Sequence, residues 1–452
     1  MLAVRAFALP AALLLTLPLT PAPAIVAFPS PAAAAPASPS PAPAVSDQRA
    51  PRHKTFGTGK LAFGTERKAQ ATPVVGDIRQ WLALDDVSGE LYRKNYKLRA
   101  AGRHIEVWVA EDLSFPAGDC RPAGSTEVTD EQIGALVREF DETIYPRETA
   151  AFSTPPDRDG TDPLLDGDFT GPGEKTVTLV DNVRDDNYFD FPDAPTYVAG
   201  FFSAQINELV DRNVMTIDAY DWRHRTGANP PDEPTDGLCT SRPARPRMYE
   251  GTFAHEWQHL LQSYTDADEE TWVNEGLSDY AQTLVGYVDG RTSVHHPGPD
   301  PHLMCFQGFA TVRTRHNANP RECGGPQGSL NLWEEGAASD VLSDYGHAYQ
   351  FMLYLRDRFG PDVLSRLHRD GERQGLTGVA AALGDEAAVE GATFVRPPLR
   401  EGTILELWRA GAAATNGRDG DRSSRGDLEG LLELLHELGE LDQRHLLERV
   451  EQ

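Results

Sequence analysis

The sequence predicts an α+β fold, with a small mixed sheet in the N-terminal half and a mostly helical C-terminal half. Strand patterns in the first half alternate polar and apolar residues or contain many β-branched residues, and they lie at 104–110, 176–180 and 213–218. In the second half, apolar residues recur at helical spacing and predict helices at 248–264, 269–287 and 344–359.

The first predicted helix begins within the sheet region. Thr129 and Gln132 form a capping-box pattern, and the helix should continue to about Ile144 and end before Pro146. A segment rich in Pro, Asp and Arg at 226–247 predicts a long surface loop before the helical half.

The N-terminus predicts export. Arg5 supplies a positive charge, residues 7–19 are apolar but contain two prolines, and Ala22-Pro-Ala24 resembles a signal-peptidase site. The apolar run is too short for a membrane-spanning helix. We therefore expect a secreted, extracellular protein that has no membrane partner once the signal peptide is cleaved.

Composition divides the rest of the chain. We expect a signal peptide (1–24), an Ala/Pro-rich linker (25–50), an α+β part (51–225), a helical part (226–415), and a polar break followed by an acidic C-terminal helix (416–452). Lys and Arg number 42 against 69 Asp and Glu, a formal net charge of −27. This charge excludes nucleic acid as a partner and favours a soluble chain, which we expect to be a monomer.

The four cysteines predict two disulfides, because an exported chain folds in an oxidising compartment. Three pairings are possible. We favour Cys305–Cys323, which closes a loop rich in Gly, Pro and Asn, and this leaves Cys120 to pair with Cys239.

The segment 251–261 contains His255, Glu256 and His259 in the spacing H-E-x-x-H. On a helix, residues i and i+4 project from one face, so two imidazoles can bind one zinc ion. The glutamate then lies beside the remaining coordination position, where it can act as a base.

A hydrolytic zinc site uses three protein ligands and keeps one position open. Glu275 follows His259 by 16 residues, which leaves room for a turn and a second helix, and is the predicted third ligand. Asp279, one turn later, can accept a hydrogen bond from a liganding histidine. An alternative third ligand is Asp340 or Asp344.

These residues resemble the gluzincin class of zinc metallopeptidases, and more closely the hyicolysin-type family of secreted bacterial metallopeptidases. The likeness rests on H-E-x-Q-H at 255–259 followed by W-x-N-E-G-L-S-D-Y-A at 272–281. It covers about residues 100–365, including 155–160, 329–333 and 344–355, and is strongest at 250–287.

The resemblance implies a zincin-like fold, Zn²⁺ as the cofactor and endopeptidase activity on protein or peptide substrates. In this reading Glu256 takes the proton of a zinc-activated water and returns it to the leaving amine. Tyr345, His347 and Tyr349 are candidate donors to the developing oxyanion. Two alternatives remain, a zinc amidase acting on cell-wall peptides and an exported, zinc-containing surface-binding protein without proteolytic activity.

Two further segments could bind a metal. Asp157, Asp159 and Asp162 lie in an oxygen-rich loop with a glycine, which is a candidate Ca²⁺ site, although a plain Asp/Gly turn has the same composition. The segment 295–302 contains three histidines, but its prolines prevent regular ligand spacing.

Overall fold

The computed structural model describes residues 55–63, 72–291, 294–296, 300–317, 320–326, 330–331, 333 and 341–384. The predicted signal peptide, the whole predicted linker, the polar break and the predicted acidic C-terminal helix lie outside these residues. Within the described part, no helix is both long enough and apolar enough to cross a membrane.

A six-stranded mixed sheet occupies the N-terminal half. Its strands are β1 (Ile78–Asp85), β2 (Glu90–Ala101), β3 (Ile105–Ala110), β4 (Thr176–Asp181), β5 (Gly200–Phe202) and β6 (Val214–Asp218). They lie in the order β1-β2-β3-β4-β6-β5. Pairing is parallel between β3 and β4 and between β4 and β6, and antiparallel elsewhere. Together with the helical C-terminal half, this sheet confirms the predicted fold class.

The two faces of the sheet pack into different cores, because successive residues of a strand point to opposite sides. Val107 and Val109 of β3 pack with the helices that follow the sheet. Trp108 and Ala110 pack on the other face with side chains of β1 and β2. The first of these cores extends to the helices of the C-terminal half.

The α-helices are α1 (Asp130–Glu139), α2 (Tyr145–Ala151), α3 (Asp186–Asp190), α4 (Ala204–Val210), α5 (Trp222–Arg225), α6 (Met248–Thr265), α7 (Thr271–Val285), α8 (Pro301–Phe306), α9 (Val341–Phe359), α10 (Asp362–Arg369) and α11 (Gly375–Leu383). Helices α6, α7 and α9 agree with the three predicted from apolar periodicity.

Helix α1 begins at the predicted capping box, but the helical segment continues past Pro146, where it was predicted to end. Thr129 and Gln132 form the reciprocal capping box. A π-helical turn, Phe140–Ile144, then connects α1 to α2, and Pro146 lies in the first turn of α2. A proline is tolerated there because the first turn of a helix has no intrahelical use for its N–H. The prediction that Pro146 would end the helix was therefore wrong.

Three glycines let helices of the C-terminal half approach one another, or the sheet, closely. A Cβ at Gly346 of α9 would lie 2.1 Å from the carbonyl oxygen of His302 in α8. A Cβ at Gly276 of α7 would lie 3.0 Å from the carbonyl oxygen of Ala348. At Gly200 of β5 it would lie 2.7 Å from Thr252 of α6. These contacts bring α9 against both α7 and α8, and β5 against α6.

Both predicted disulfides are present, and their pairing is Cys120–Cys239 and Cys305–Cys323. The first joins the loop after β3 to the long loop before α6. The second fixes the C-terminal part of α8 to the segment that follows it.

The close approach of α8 and α9 can be tested with alanine at Gly346. We expect Gly346→Ala to destabilise the fold by at least about 1–3 kcal/mol, because the new methyl group meets backbone rather than a side chain. Gly134→Ala in α1 is the matched control, since its Cβ would meet only Arg138 at 3.6 Å. That change should stabilise the protein by about 0.5–1 kcal/mol. Denaturant unfolding of both variants measures the difference, and equal effects would contradict the close α8–α9 contact.

Candidate metal centre

Helix α6 carries His255 and His259 on one face. Their Nε2 atoms lie 3.1 Å apart, and the two rings are nearly perpendicular. His255 is only 6% exposed, and His259 is half-buried. The i, i+4 spacing thus brings the two imidazoles together as the sequence predicted.

Helix α7 brings Glu275 to the same point. Its Oε2 atom lies 3.2 Å from the Nε2 of His255 and 3.2 Å from the Nε2 of His259. One ligand atom from each of these three residues lies within 4.8 Å of the others. Among the described residues this is the one group of three or more His, Cys, Asp or Glu arranged so that it could hold a metal ion.

Side chains of α7 contact the Nδ1 atom of each imidazole, on the side of the ring that faces away from Glu275. The Nδ1 of His255 lies 2.9 Å from Asp279 Oδ1, and the Nδ1 of His259 contacts Asn274 Oδ1. Ser278 Oγ lies 3.0 Å from the same Nδ1 of His259. Carboxylate and amide oxygens are acceptors, so each Nδ1 donates and, when the imidazoles are neutral, each Nε2 turns a lone pair towards Glu275.

This arrangement fits a cation. Three acceptor atoms face one another, and Glu275 Oε2 is buried without a hydrogen-bond donor. Acceptors placed in this way repel each other unless a proton or a metal ion lies between them. Two imidazole nitrogens and a carboxylate oxygen form a ligand set typical of zinc.

The pKa shifts of the three ligand residues also indicate that this group attracts a cation. Burial alone would lower the pKa of His255, but hydrogen bonds to Asp279 and Glu275 outweigh it and raise the pKa well above its ordinary value. The pKa of His259 is raised as well, because Glu275 outweighs the effect of burial. Burial would raise the pKa of Glu275, whereas the two histidines hold it far below its ordinary value. The group therefore attracts positive charge.

Glu256 lies beside this group and contacts the edge of the sheet. Its Oε2 accepts a hydrogen bond from the backbone N–H of Phe202 in β5, at 2.9 Å. Glu256 is 8% exposed, and burial raises the pKa of its carboxyl group. The three-residue strand β5 thus orients the side chain that the sequence predicted as the base.

The three candidate oxyanion donors have different surroundings. Tyr345 interacts with the carboxylate of Glu275, and burial, followed by the charges of Glu275 and Asp279, raises the pKa of its hydroxyl well above the ordinary value. The Tyr349 hydroxyl hydrogen-bonds to Thr283 instead. The His347 ring stacks on Phe306, 4.7 Å away. Of the three, the structure brings Tyr345 to the metal-ligand group.

The aspartates of the predicted calcium loop are not brought together in this way. Asp159 accepts hydrogen bonds from the backbone N–H and the hydroxyl of Thr161, as in an Asp/Gly turn. Gly160 has a positive φ of 73° and packs against the backbone of Phe169. Asp157, Asp159 and Asp162 form no metal-holding group within the described residues. Calcium binding therefore gains no support here.

The alternative third ligands also differ in position. Asp344 lies in the first turn of α9 and does not belong to the group of ligand atoms. Asp340 lies outside the described residues.

Sequence reasoning missed four residues at this centre. Asn274 and Ser278, which contact Nδ1 of His259, lie inside the motif at 272–281 but were given no role. Phe202 contributes through its backbone N–H, which no side-chain pattern reveals. His302 lies in the histidine-containing segment 295–302 and contacts Asp279, with its Nδ1 2.9 Å from Asp279 Oδ2. The signal was present in the sequence, but the prolines around it argued against a role.

Comparison with known proteins gives a distant relationship. No protein-family model matches the chain. The neutral metalloprotease ShpI of Staphylococcus hyicus is 23% identical over 317 residues, which cover 68% of this chain and 57% of that protein. The chain thus spans little more than half the length of this relative. The similarity supports a relationship to metalloproteases in general.

The ligand assignment predicts the metal content of two variants. Wild-type protein should retain about one zinc per chain after dialysis. Glu275→Ala should weaken zinc binding by more than the roughly 10–100-fold that follows loss of an outer-shell partner. Asp344→Ala, the control at the alternative ligand, should retain zinc. Elemental analysis by mass spectrometry measures all three proteins, and the reverse pattern for the two variants would refute the assignment of Glu275.

Proposed function

We propose that this chain is a secreted, zinc-dependent endopeptidase of the gluzincin type, similar to the hyicolysin-like family. The main support is the largely buried group of three acceptors, in which His255 is buried and His259 and Glu275 are half-buried, with Glu256 beside it. A purely structural zinc site is normally closed by four protein ligands and needs no neighbouring base. Three ligands with an adjacent carboxylate are typical of a hydrolytic site.

His255, His259 and Glu275 would hold the zinc ion. When bound, zinc supplies Lewis acidity, which makes water a stronger acid and polarises a carbonyl group. The two Nδ1 hydrogen bonds, to Asp279 and Asn274, would leave both Nε2 lone pairs free to bind the ion.

Glu256 then moves the proton. Its Oε2 accepts from the N–H of Phe202, so the second carboxylate oxygen is the one available to accept a proton from water. Glu256 subsequently delivers this proton to the nitrogen of the leaving amine, acting first as general base and then as general acid.

Tyr345 is the proposed donor to the oxyanion. Its hydroxyl interacts with Glu275, and its raised pKa keeps it protonated at neutral pH. A protonated hydroxyl next to the metal ligands can donate a hydrogen bond to negative charge that develops on the substrate carbonyl oxygen.

Strand β5 offers a place for a peptide substrate. It is the last strand of the sheet and pairs only with β6 among the described strands. The N–H of Phe202 points away from β6, towards Glu256, so the backbone of Gly200 points to the same side. An extended peptide can bind such an edge by main-chain hydrogen bonds.

The remaining features are consistent with an extracellular enzyme. The two disulfides and the similarity to a neutral metalloprotease support export, and we propose that residues 1–24 are the signal peptide and 25–50 a linker. We also propose the division into an α+β part, 51–225, and a helical catalytic part, 226–415. A cell-wall amidase would use the same residues and is distinguished by its substrate.

The role of Glu256 can be separated from metal binding. Glu256→Gln retains the size of the side chain and can still accept from Phe202, but it is a poor proton acceptor. We expect zinc content and thermal stability close to wild type, and hydrolysis of a protein substrate reduced by roughly 10²–10⁴-fold. Casein hydrolysis, with and without a zinc chelator, provides the assay.

The control is Glu250→Gln, the same substitution in the first turn of the same helix. Glu250 accepts a hydrogen bond from the backbone N–H of Gly227, and a glutamine can accept the same bond. The Glu250→Gln substitution should therefore leave hydrolysis unchanged. Near wild-type turnover in Glu256→Gln would place the base elsewhere. No hydrolysis of protein or cell-wall peptides by the zinc-loaded wild type would favour the surface-binding alternative.

A further inference from the structure

His302 occupies a buried position beneath the metal-ligand group. It lies in the first turn of α8 and is 2% exposed. Its Nδ1 lies 2.9 Å from Oδ2 of Asp279, and its ring lies 4.7 Å from the ring of Tyr345. The other oxygen of Asp279 lies 2.9 Å from the Nδ1 of His255. One carboxylate therefore joins two imidazoles.

The donor and acceptor pattern of this bridge is fully determined. A carboxylate can only accept, so both histidines donate through Nδ1. The side-chain amide of Gln282 donates a further hydrogen bond to Asp279 Oδ1, at 3.0 Å. Asp279 is completely buried, and among the described residues His302 supplies the hydrogen bond to its Oδ2. Without His302 this oxygen would be buried without a donor, which is costly.

We propose that His302 is a positioning residue of the metal centre. It fixes the orientation of the Asp279 carboxylate, and through it the ring of His255, without touching the metal. The same imidazole packs against the Tyr345 ring and so also orients the proposed oxyanion donor. This inference rests on the proposed zinc site, because it assigns His302 a role towards a zinc ligand.

The position of His302 is itself set by backbone contacts. Asp300 caps α8 by accepting from the N–H of Leu303, at 2.8 Å. The carbonyl oxygen of His302 lies against Gly346 of α9, where a side chain would not fit. Cys305, three residues later, is joined to Cys323. The location of Nδ1 therefore depends on a fixed helix rather than on a loose loop.

Substitution of His302 by asparagine or by glutamine tests the proposal, because the two side-chain amides place an N–H donor at different distances from the backbone. The side-chain nitrogen of asparagine can replace Nδ1, whereas that of glutamine reaches towards the position of Nε2. We expect His302→Asn to bind zinc within a few-fold of wild type. His302→Gln should bind it about 10–100-fold more weakly, as after loss of an outer-shell partner. His296→Leu, at an exposed position of the same segment, is the control and should have no effect.

Zinc affinity is measured by competition with a chromophoric chelator, and thermal melting of the metal-free proteins checks that each variant is folded. The visible absorption spectrum of the cobalt-substituted proteins gives a second measurement, since it reports ligand geometry. We expect wild type and His302→Asn to share a spectrum and His302→Gln to differ.

Wild-type affinity in both amide variants, or an equal loss in both, would overturn the positioning role of the Nδ1 donor.

A double variant that combines His302→Gln with Asp279→Asn tests whether His302 acts on the zinc site through Asp279. If His302 acts through Asp279, His302→Gln should add little to the loss caused by Asp279→Asn alone, and fully additive losses would contradict the proposal. Zinc binding by the wild-type protein tests the proposed function, and its absence would refute that function. The differences between the His302 variants and a zinc-binding wild type test the positioning role separately.

Discussion

The metal centre depends on how α7 holds the outer sides of two histidines on α6. Asp279 and Asn274 accept from the Nδ1 atoms of His255 and His259, so in the neutral imidazoles the inner nitrogens carry the lone pairs. Glu275 lies between these two residues in sequence and adds a third acceptor. Packing of the two helices thus forces together three groups that repel each other. A bound cation would convert this unfavourable arrangement into a stable one.

Three close contacts at glycines bring further groups to these ligands. Gly276 lets α9 approach α7, Gly346 lets α8 approach α9, and Gly200 lets β5 approach α6. Each contact brings one functional group to the ligands: Tyr345 from α9, His302 from α8 and the N–H of Phe202 from β5. A larger side chain at any of these glycines would move an element and the group that it carries.

The sequence predicted the parts of this centre that depend on local geometry. The i, i+4 spacing places His255 and His259 on one face of any helix, and Glu275 and Asp279 follow one turn apart on the next. Groups brought in by distant elements were harder to predict. Phe202 acts through its backbone from a strand of three residues, too short for an alternation pattern. His302 lies 43 residues after His259 in a proline-containing segment, and only tertiary packing brings it to Asp279. In the candidate calcium loop, Asp159 uses its carboxylate to cap its own turn, a role that composition alone does not distinguish from metal binding.

The central claim is that His255, His259 and Glu275 share one zinc ion, and anomalous diffraction from a crystal of the zinc-loaded protein tests it most directly. At the zinc absorption edge, we predict one strong peak at about 2.0–2.2 Å from the Nε2 atoms of both histidines and from a carboxylate oxygen of Glu275. The Nδ1 contacts to Asp279 and Asn274 should be preserved in that crystal. A zinc peak elsewhere, for example at the aspartate loop around Gly160 or at His295 and His296, with none between α6 and α7, would contradict the account.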